Sequence, residues 1–253
     1  MKIALLIPST SNGMNWKTYD ESFLYKLTLT SFLRTYDTEH EYTFYIGIDI
    51  GDNLYDQNTF QQEIKNVFDL YSNITIQFIH FENVLKGHLT IMWNQLFQIA
   101  YNEMNDYFYQ CGDDIQFQTK GWINDCIDIL QRNNNNGITG PINNNPRILT
   151  QTFVSRNHMI YFNYYFPPEI INWFCDDWIN EIYKKINAYY PLLHHKCNNL
   201  GGDPRYVINN DAFFLDDINK KMLLLKNQCI SLVNRDFNKI KFKIIYNNDL
   251  FQT

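Results

Sequence analysis

Three clusters in this chain combine residue types and spacings that can do chemistry. The first is Tyr107-Phe108-Tyr109-Gln110-Cys111-Gly112-Asp113-Asp114-Ile115, an apolar run ending in two adjacent carboxylates. Carboxylate oxygens are hard ligands suited to Mg2+ or Mn2+, and such ions keep open positions that a diphosphate can fill. Gly112 lets a ligand approach the backbone closely. Gly-Asp-Asp also closes ordinary turns, so its place in the fold must separate the two readings. The second cluster is Asn172-Trp173-Phe174-Cys175-Asp176-Asp177-Trp178. An Asp at a helix start can simply cap orphan amides and suit the helix dipole. Two of them between tryptophans offer more, because aromatic surroundings desolvate a carboxylate and raise its pKa toward that of a general base. The third runs from Leu193 to Tyr206 and holds His194, His195, Gly201-Gly202 and Arg205. It combines imidazoles able to bind a metal with a guanidinium able to pair with phosphate. Adjacent histidines do not easily share one ion, so one of the two at most is expected as a ligand.

The elements that must position these clusters can be read from periodicity. Ile3–Ile7 is an apolar run with the character of a fully buried strand. Tyr42–Ile50, Ile74–Phe81, Tyr107–Gln110 and Gly137–Ile142 read as further strands. Between them, Phe23, Leu24, Leu27 and Ser31 have helical spacing, as do Phe60, Ile64, Val67, Phe68 and Tyr71. Met92, Leu96, Ile99 and Ala100, and then Ile123, Cys126, Ile127 and Leu130, repeat the pattern. Strands alternating with helices predict βαβ units and a mostly parallel central sheet flanked by helices. Ligands of such sheets bind at the carboxyl ends of the strands. That rule selects Pro8-Ser9-Thr10, Asp49 to Asp52, Phe81-Glu82-Asn83 and Gly112-Asp113-Asp114. Pro8, Ser9 and Thr10 could offer amides and hydroxyls to a nucleotide, and Asp49 could bind a base or ribose edge or merely start its turn.

The second half is less regular. Phe153–Tyr165 is aromatic and ambiguous, and a helix is predicted from about Asp177. Pro191 to Tyr206 reads as a functional loop. A helix around Ala212–Leu225 and a strand-like tail at Ile240–Tyr246 follow.

Composition bounds the function classes. The chain has 253 residues and a formal net charge of -6. That length fits one large α/β domain with its own core. No cluster of five or six Lys or Arg occurs, which argues against nucleic acid as a partner. An acidic chain can still bind a small anion, because a metal carries positive charge locally. Five cysteines, an odd number without a Cys-x-x-Cys pair, predict reduced thiols in a cytoplasm-like compartment. The apolar run ending at Pro8 is too short for a signal peptide, and no stretch nears the ~20 apolar residues of a membrane span.

The order of motifs resembles that of the GT-A fold glycosyltransferases. The likeness covers roughly residues 1–206, and two stretches carry it. The segment from Lys86-Gly87 through Trp93-Asn94 and Asp106-Tyr107-Phe108 to Gly112-Asp113-Asp114 is similar to the approach to the metal motif of inverting members. Phe174-Cys175-Asp176-Asp177-Trp178-Ile179 resembles the segment that supplies the base in N-acetylglucosaminyltransferase-like enzymes. The whole chain also resembles glycosyltransferases of giant DNA viruses, which fits its bias toward Asn and Ile. The resemblance implies a Rossmann-like α/β domain: a nucleotide-sugar half (1–115), an acceptor half (116–206) and a C-terminal extension (207–253). It implies a UDP-sugar donor, Mn2+ or Mg2+, and a glycan or protein acceptor. Asp114 would hold the metal, Asp113 would lie near the ribose or the metal, and His195 would be the C-terminal metal ligand. Asp49, Asn94 and Pro8-Ser9-Thr10 would contact the nucleotide. Asp177, or else Asp176, would be the base. Gly112 stands where many members have the first Asp of an Asp-x-Asp motif, which weakens the expected metal site. A non-catalytic nucleotide or glycan-binding module and a sugar nucleotidyltransferase remain alternatives, and Gly-Asp-Asp alone would also suit a polymerase.

Overall fold

The computed structural model describes residues 1–202, 205–206 and 217–250, with side chains described through residue 240. The chain begins with β1 (Lys2–Ser9), a π-helical turn (Leu24–Leu29) that runs into α1 (Thr30–Thr35), β2 (Glu41–Asp49), α2 (Asn58–Phe68) and β3 (Ile74–Phe81). It continues through α3 (Leu89–Asn102), β4 (Tyr107–Gln110), β5 (Ile115–Phe117), α4 (Trp122–Arg132), β6 (Ile138–Ile142) and β7 (Thr152–Ser155). It ends with α5 (Asn157–Phe162), α6 (Cys175–Lys185), β8 (Tyr189–Asn199) and α7 (Ile218–Leu250). The strands form one eight-stranded mixed sheet in the order β3-β2-β1-β4-β7-β6-β8-β5.

β1, β2, β3 and β4 are parallel, so their carboxyl ends lie along one edge. β1 is central, and all its residues after Lys2 are buried. Side chains alternate across a strand, so Ile3, Leu5 and Ile7 pack with α1, α2 and α4 while Ala4 and Leu6 pack with α3, α5, α6 and α7. Each such buried aliphatic side chain contributes roughly 1.5–3 kcal/mol. The other half of the sheet is mixed. β7 is antiparallel to both β4 and β6, β8 is parallel to β6, and β5 is antiparallel to β8.

Three sequence expectations change. The stretch from Pro191, read as a loop, is strand β8 through Asn199, and irregular chain begins only at Leu200. Its histidines and asparagines mask a strand because one side faces solvent. The tail at 240–246 is helical, the continuation of α7. Cys229, Leu232, Val233 and Ile240 are buried against the face that also holds α5 and α6, so a helical spacing of contacts overrides local β-propensity. The helix expected from Ala212 begins at Ile218, and residues 212–216 lie outside the described residues. The ambiguous aromatic segment divides into β7 and α5, and β5 is too short for any periodic signal. Among the described residues no helix is long and apolar enough to cross a membrane. The five cysteines are unpaired and buried.

Candidate active site

Asp113 and Asp114 leave the end of β4 side by side but enter different surroundings. Asp113 is 1% exposed. The Arg205 guanidinium forks onto both of its oxygens, with Nη1 at 2.8 Å from Oδ2, and the Tyr55 hydroxyl donates to Oδ2 at 3.2 Å. Bidentate guanidinium–carboxylate pairs are the strong, geometrically specific kind. Arg205 also donates to the Thr10 carbonyl at 2.8 Å, and it faces the rings of Trp16 and Phe23. Ninety-two residues separate the two partners, so no local pattern announces this pair.

Asp114 projects into a cleft. Burial, then repulsion from Asp113, push its carboxyl up to about 6, although Arg205 works against the shift from 3.8 Å. Its position depends on two glycines. A Cβ on Gly112 would meet Oδ1 at 2.5 Å, and a Cβ on Gly201 would collide with Oδ2. A side chain at position 112 would displace the Asp114 carboxylate from this position, so glycine here leaves it room. The backbone is equally constrained. The Asp114 carbonyl accepts from the Leu200 amide at 3.0 Å, and Thr28 Oγ1 bonds both the amide and the carbonyl of Ile115. Thr28 reaches β5 from the π-helical turn, a feature that often accompanies functional sites.

Asp52, at the end of one of the strand exits selected from the sequence, joins two of those exits. Its carboxylate accepts from the Ser11 amide at 2.8 Å, Ser11 Oγ at 2.6 Å and Thr10 Oγ1 at 3.0 Å. It also accepts from the amides of Leu54 and Tyr55 at 3.0 and 2.9 Å. Burial alone would raise its pKa, but these hydrogen bonds hold it below the usual carboxylate value. Through Tyr55 the network reaches Asp113.

The opposite wall carries Asp176 and Asp177. Neither caps α6. The residue ahead of the helix is Phe174, with a left-handed φ of 74° and no side-chain cap, and both carboxylates lie in the first turn. A bulky residue in that region is a backbone outlier, of the kind that clusters at functional sites. The Phe174 carbonyl accepts from the Trp178 amide at 3.0 Å and from Cys229 Sγ at 3.6 Å, which holds the turn against α7. Burial, and then the charge of Asp177, push the Asp176 carboxyl up to about 7.

A cleft of about 1480 Å³ joins both walls. Of the residues expected from the sequence, it brings together Pro8, Thr10, Asp113, Asp114, Asp176 and Asp177. Four others lie elsewhere. Ser9 alternates to the other side of β1 from Pro8 and Thr10. Asp49 is buried with its pKa raised by burial, and the Tyr206 hydroxyl faces it without closing a well-formed hydrogen bond. Asn94 is not on the cleft wall. Its carbonyl oxygen accepts from the amides of Tyr165 and Phe166 and its amide donates to the Phe166 carbonyl, a backbone clamp. His195 bonds Asp125 and Thr119. Leu200 pairs with Asp114, and His195 lies five residues earlier, about 17 Å along the strand. Sequence reasoning missed Gln151 and the α7 side chains Met222, Lys226 and Ile230, which line the cleft together with Arg205 and Tyr206 from the third cluster.

The donor set fits a hard divalent cation at one residue. Asp113 has both oxygens committed and His195 is remote. Asp114 is a half-buried carboxylate with a raised pKa, and it lines the cleft. Mg2+ and similar ions need only one or two carboxylates when phosphates complete the shell.

No family model matches the sequence, and no curated protein matches it. Solved structures do match the fold. One is S. aureus TarS 1–349 in complex with UDP-GlcNAc, at a TM-score of 0.56 and 12% identity, covering 89% of this chain and 65% of that one. Another is the same protein in complex with UDP, at 0.53 and 12%, covering 78% and 60%. This chain thus spans less than two thirds of their length. At that identity the likeness establishes the fold: an α/β fold with a mixed eight-stranded sheet flanked by helices, of the kind seen in TarS.

Proposed function

We propose that this protein is a glycosyltransferase that moves a sugar from a nucleotide-sugar donor, a UDP-sugar, to an acceptor hydroxyl with inversion at the anomeric carbon. The observation that carries the reading is the single cleft with Asp114 at the end of a parallel strand on one wall and Asp176-Asp177 on the other. The fold shared with structures bound to UDP and UDP-GlcNAc supports the choice of donor. Asp114 would hold Mn2+ or Mg2+, which when bound stabilises charge on a leaving diphosphate. Arg205 lies on the same side, where its charge is balanced by Asp113.

On the facing wall the two carboxylates act as a coupled pair. Burial and the neighbouring Asp177 push the Asp176 carboxyl up to about 7, so Asp176 keeps its own proton below about pH 7. Asp177 takes the proton of the acceptor hydroxyl as that oxygen attacks from the side opposite the leaving nucleoside diphosphate. Attack from that side inverts the configuration. The acceptor, a glycan or a protein, enters past Trp173 and the α7 face.

Thermal unfolding against a panel of nucleoside diphosphates, with and without Mn2+, tests the proposal. Binding to the folded state must raise its melting temperature. UDP should give the largest shift and Mn2+ should enlarge it. The absence of a shift with any nucleotide would overturn the reading.

A further inference from the structure

We infer that Asp125, His194 and His195 form a transition-metal site, of the Zn2+ class, remote from the cleft. The inference does not rest on the proposed transfer activity.

β6 and β8 are paired through Pro141 with Leu192, and the next pair is Ile142 with Lys196. One step on β6 therefore spans four on β8, and Leu193, His194 and His195 bulge out of the ladder. In a regular strand adjacent side chains point to opposite faces. The bulge cancels that rule, and the two imidazoles lie together with ring centroids 4.3 Å apart. This removes the geometric objection to adjacent histidines sharing one ion. Both Nε2 atoms converge on one oxygen, Asp125 Oδ2, at 2.8 Å from His194 and 2.9 Å from His195. The three ligand atoms all lie within 4.8 Å of one another.

The surroundings suit an ion. Thr119 Oγ1 bonds His195 Nδ1 at 3.0 Å and accepts from the Lys196 amide at 3.0 Å, so the ring is oriented through its other nitrogen, as metal-bound histidines are. Tetrahedral Zn2+ with ligands at its usual distances keeps donor atoms about 3.3 Å apart. Asp125 stands in the first turn of α4 and is partly exposed, so it can withdraw the few tenths of an ångström required. His194 is largely exposed, leaving a fourth position open to water. Two imidazoles and one carboxylate favour Zn2+ over the Mg2+ or Mn2+ that a lone carboxylate and phosphates would take. A bound ion would tie β8 to α4 and brace the ladder whose far end backs Asp114.

The test uses the full chain, stripped with a chelator and titrated with ZnCl2 by calorimetry alongside thermal unfolding. Wild type should bind about one equivalent saturably and melt at a higher temperature with Zn2+. His194→Ala, a change at an exposed side chain that leaves folding intact, and Asp125→Asn should each weaken binding by at least about tenfold and lose the melting shift. Absence of saturable Zn2+ binding by wild type would overturn the site, as would equal binding by the variants.

Discussion

Replacing Asp176 by Asn should stabilise the protein, and increasingly so as the pH rises. In the folded chain this carboxyl is pushed up to about 7, first by burial and then by Asp177. In the unfolded chain it titrates near 3.9. The folded state therefore binds more protons between these values, and stability falls as pH climbs through that window. About 3 units at about 1.4 kcal/mol each give about 4 kcal/mol once the group is fully ionised, of which about 2.5 develops between about pH 5 and pH 8.5. The carboxyl borders the cleft and keeps some contact with solvent, which cuts the pH-dependent part to about 1–2 kcal/mol. The helix dipole favours a charge in the first turn, but by no more than about 1 kcal/mol. Asn has nearly the same shape and is neutral throughout. Urea unfolding of both proteins across this pH range measures the difference directly. A stability gap that stays flat from about pH 5 to 8.5, or a variant less stable than wild type at the upper end, would refute the desolvated-carboxyl argument.

Three further perturbations have defined outcomes. Asp177→Asn should reduce transfer by about 10²–10⁴-fold and leave the UDP-induced melting shift in place, so near-normal turnover would remove Asp177 as the base. Asp52→Asn removes charge from a carboxylate that accepts five hydrogen bonds, and should cost about 2–4 kcal/mol in denaturant unfolding near neutral pH. Its pKa is held low in the fold, so the stability it contributes is present above about pH 4 and lost as pH falls below that, and wild type and variant should converge in acid. Gly201→Ala directs a methyl at the Asp114 carboxylate, and should abolish the Mn2+-dependent part of the UDP melting shift while changing the ligand-free melting temperature little.

Much of the first half was legible because its strands are compact runs of β-forming residues, contiguously buried in β1 and β4 and alternating in β3. Ile3–Ile7, Tyr42–Ile50, Ile74–Phe81 and Tyr107–Gln110 announce themselves by their aliphatic and aromatic β-formers, and the helices between them by a 3.6-residue period. The second half hid its pattern. β5 has three residues, β8 is half exposed and polar, and the end of α7 alternates like a strand. Side-chain roles followed the same division. Asp114 could be singled out from a strand end, whereas the commitment of Asp113 to Arg205 and Tyr55 could not. Asn94 and His195 were credible ligands by type, and both found other partners once the chain closed.

The sequence by itself determined where the carboxylates would emerge. A parallel sheet puts strand ends on one edge, and Gly112-Asp113-Asp114 follows one of those strands. It also determined that Asp176 and Asp177 would sit at the start of a helix. Only the tertiary structure decided what each carboxylate does. Asp113 is neutralised by a guanidinium, Asp114 is cradled between Gly112 and Gly201, Asp176 is desolvated, and two neighbouring histidines are turned onto Asp125 by a bulge. These outcomes depend on pairings across up to about a hundred residues and on space left by absent side chains. Local periodicity carries the information for strand and helix, but charge, hydration and the clearance around an atom are set only when distant segments pack together.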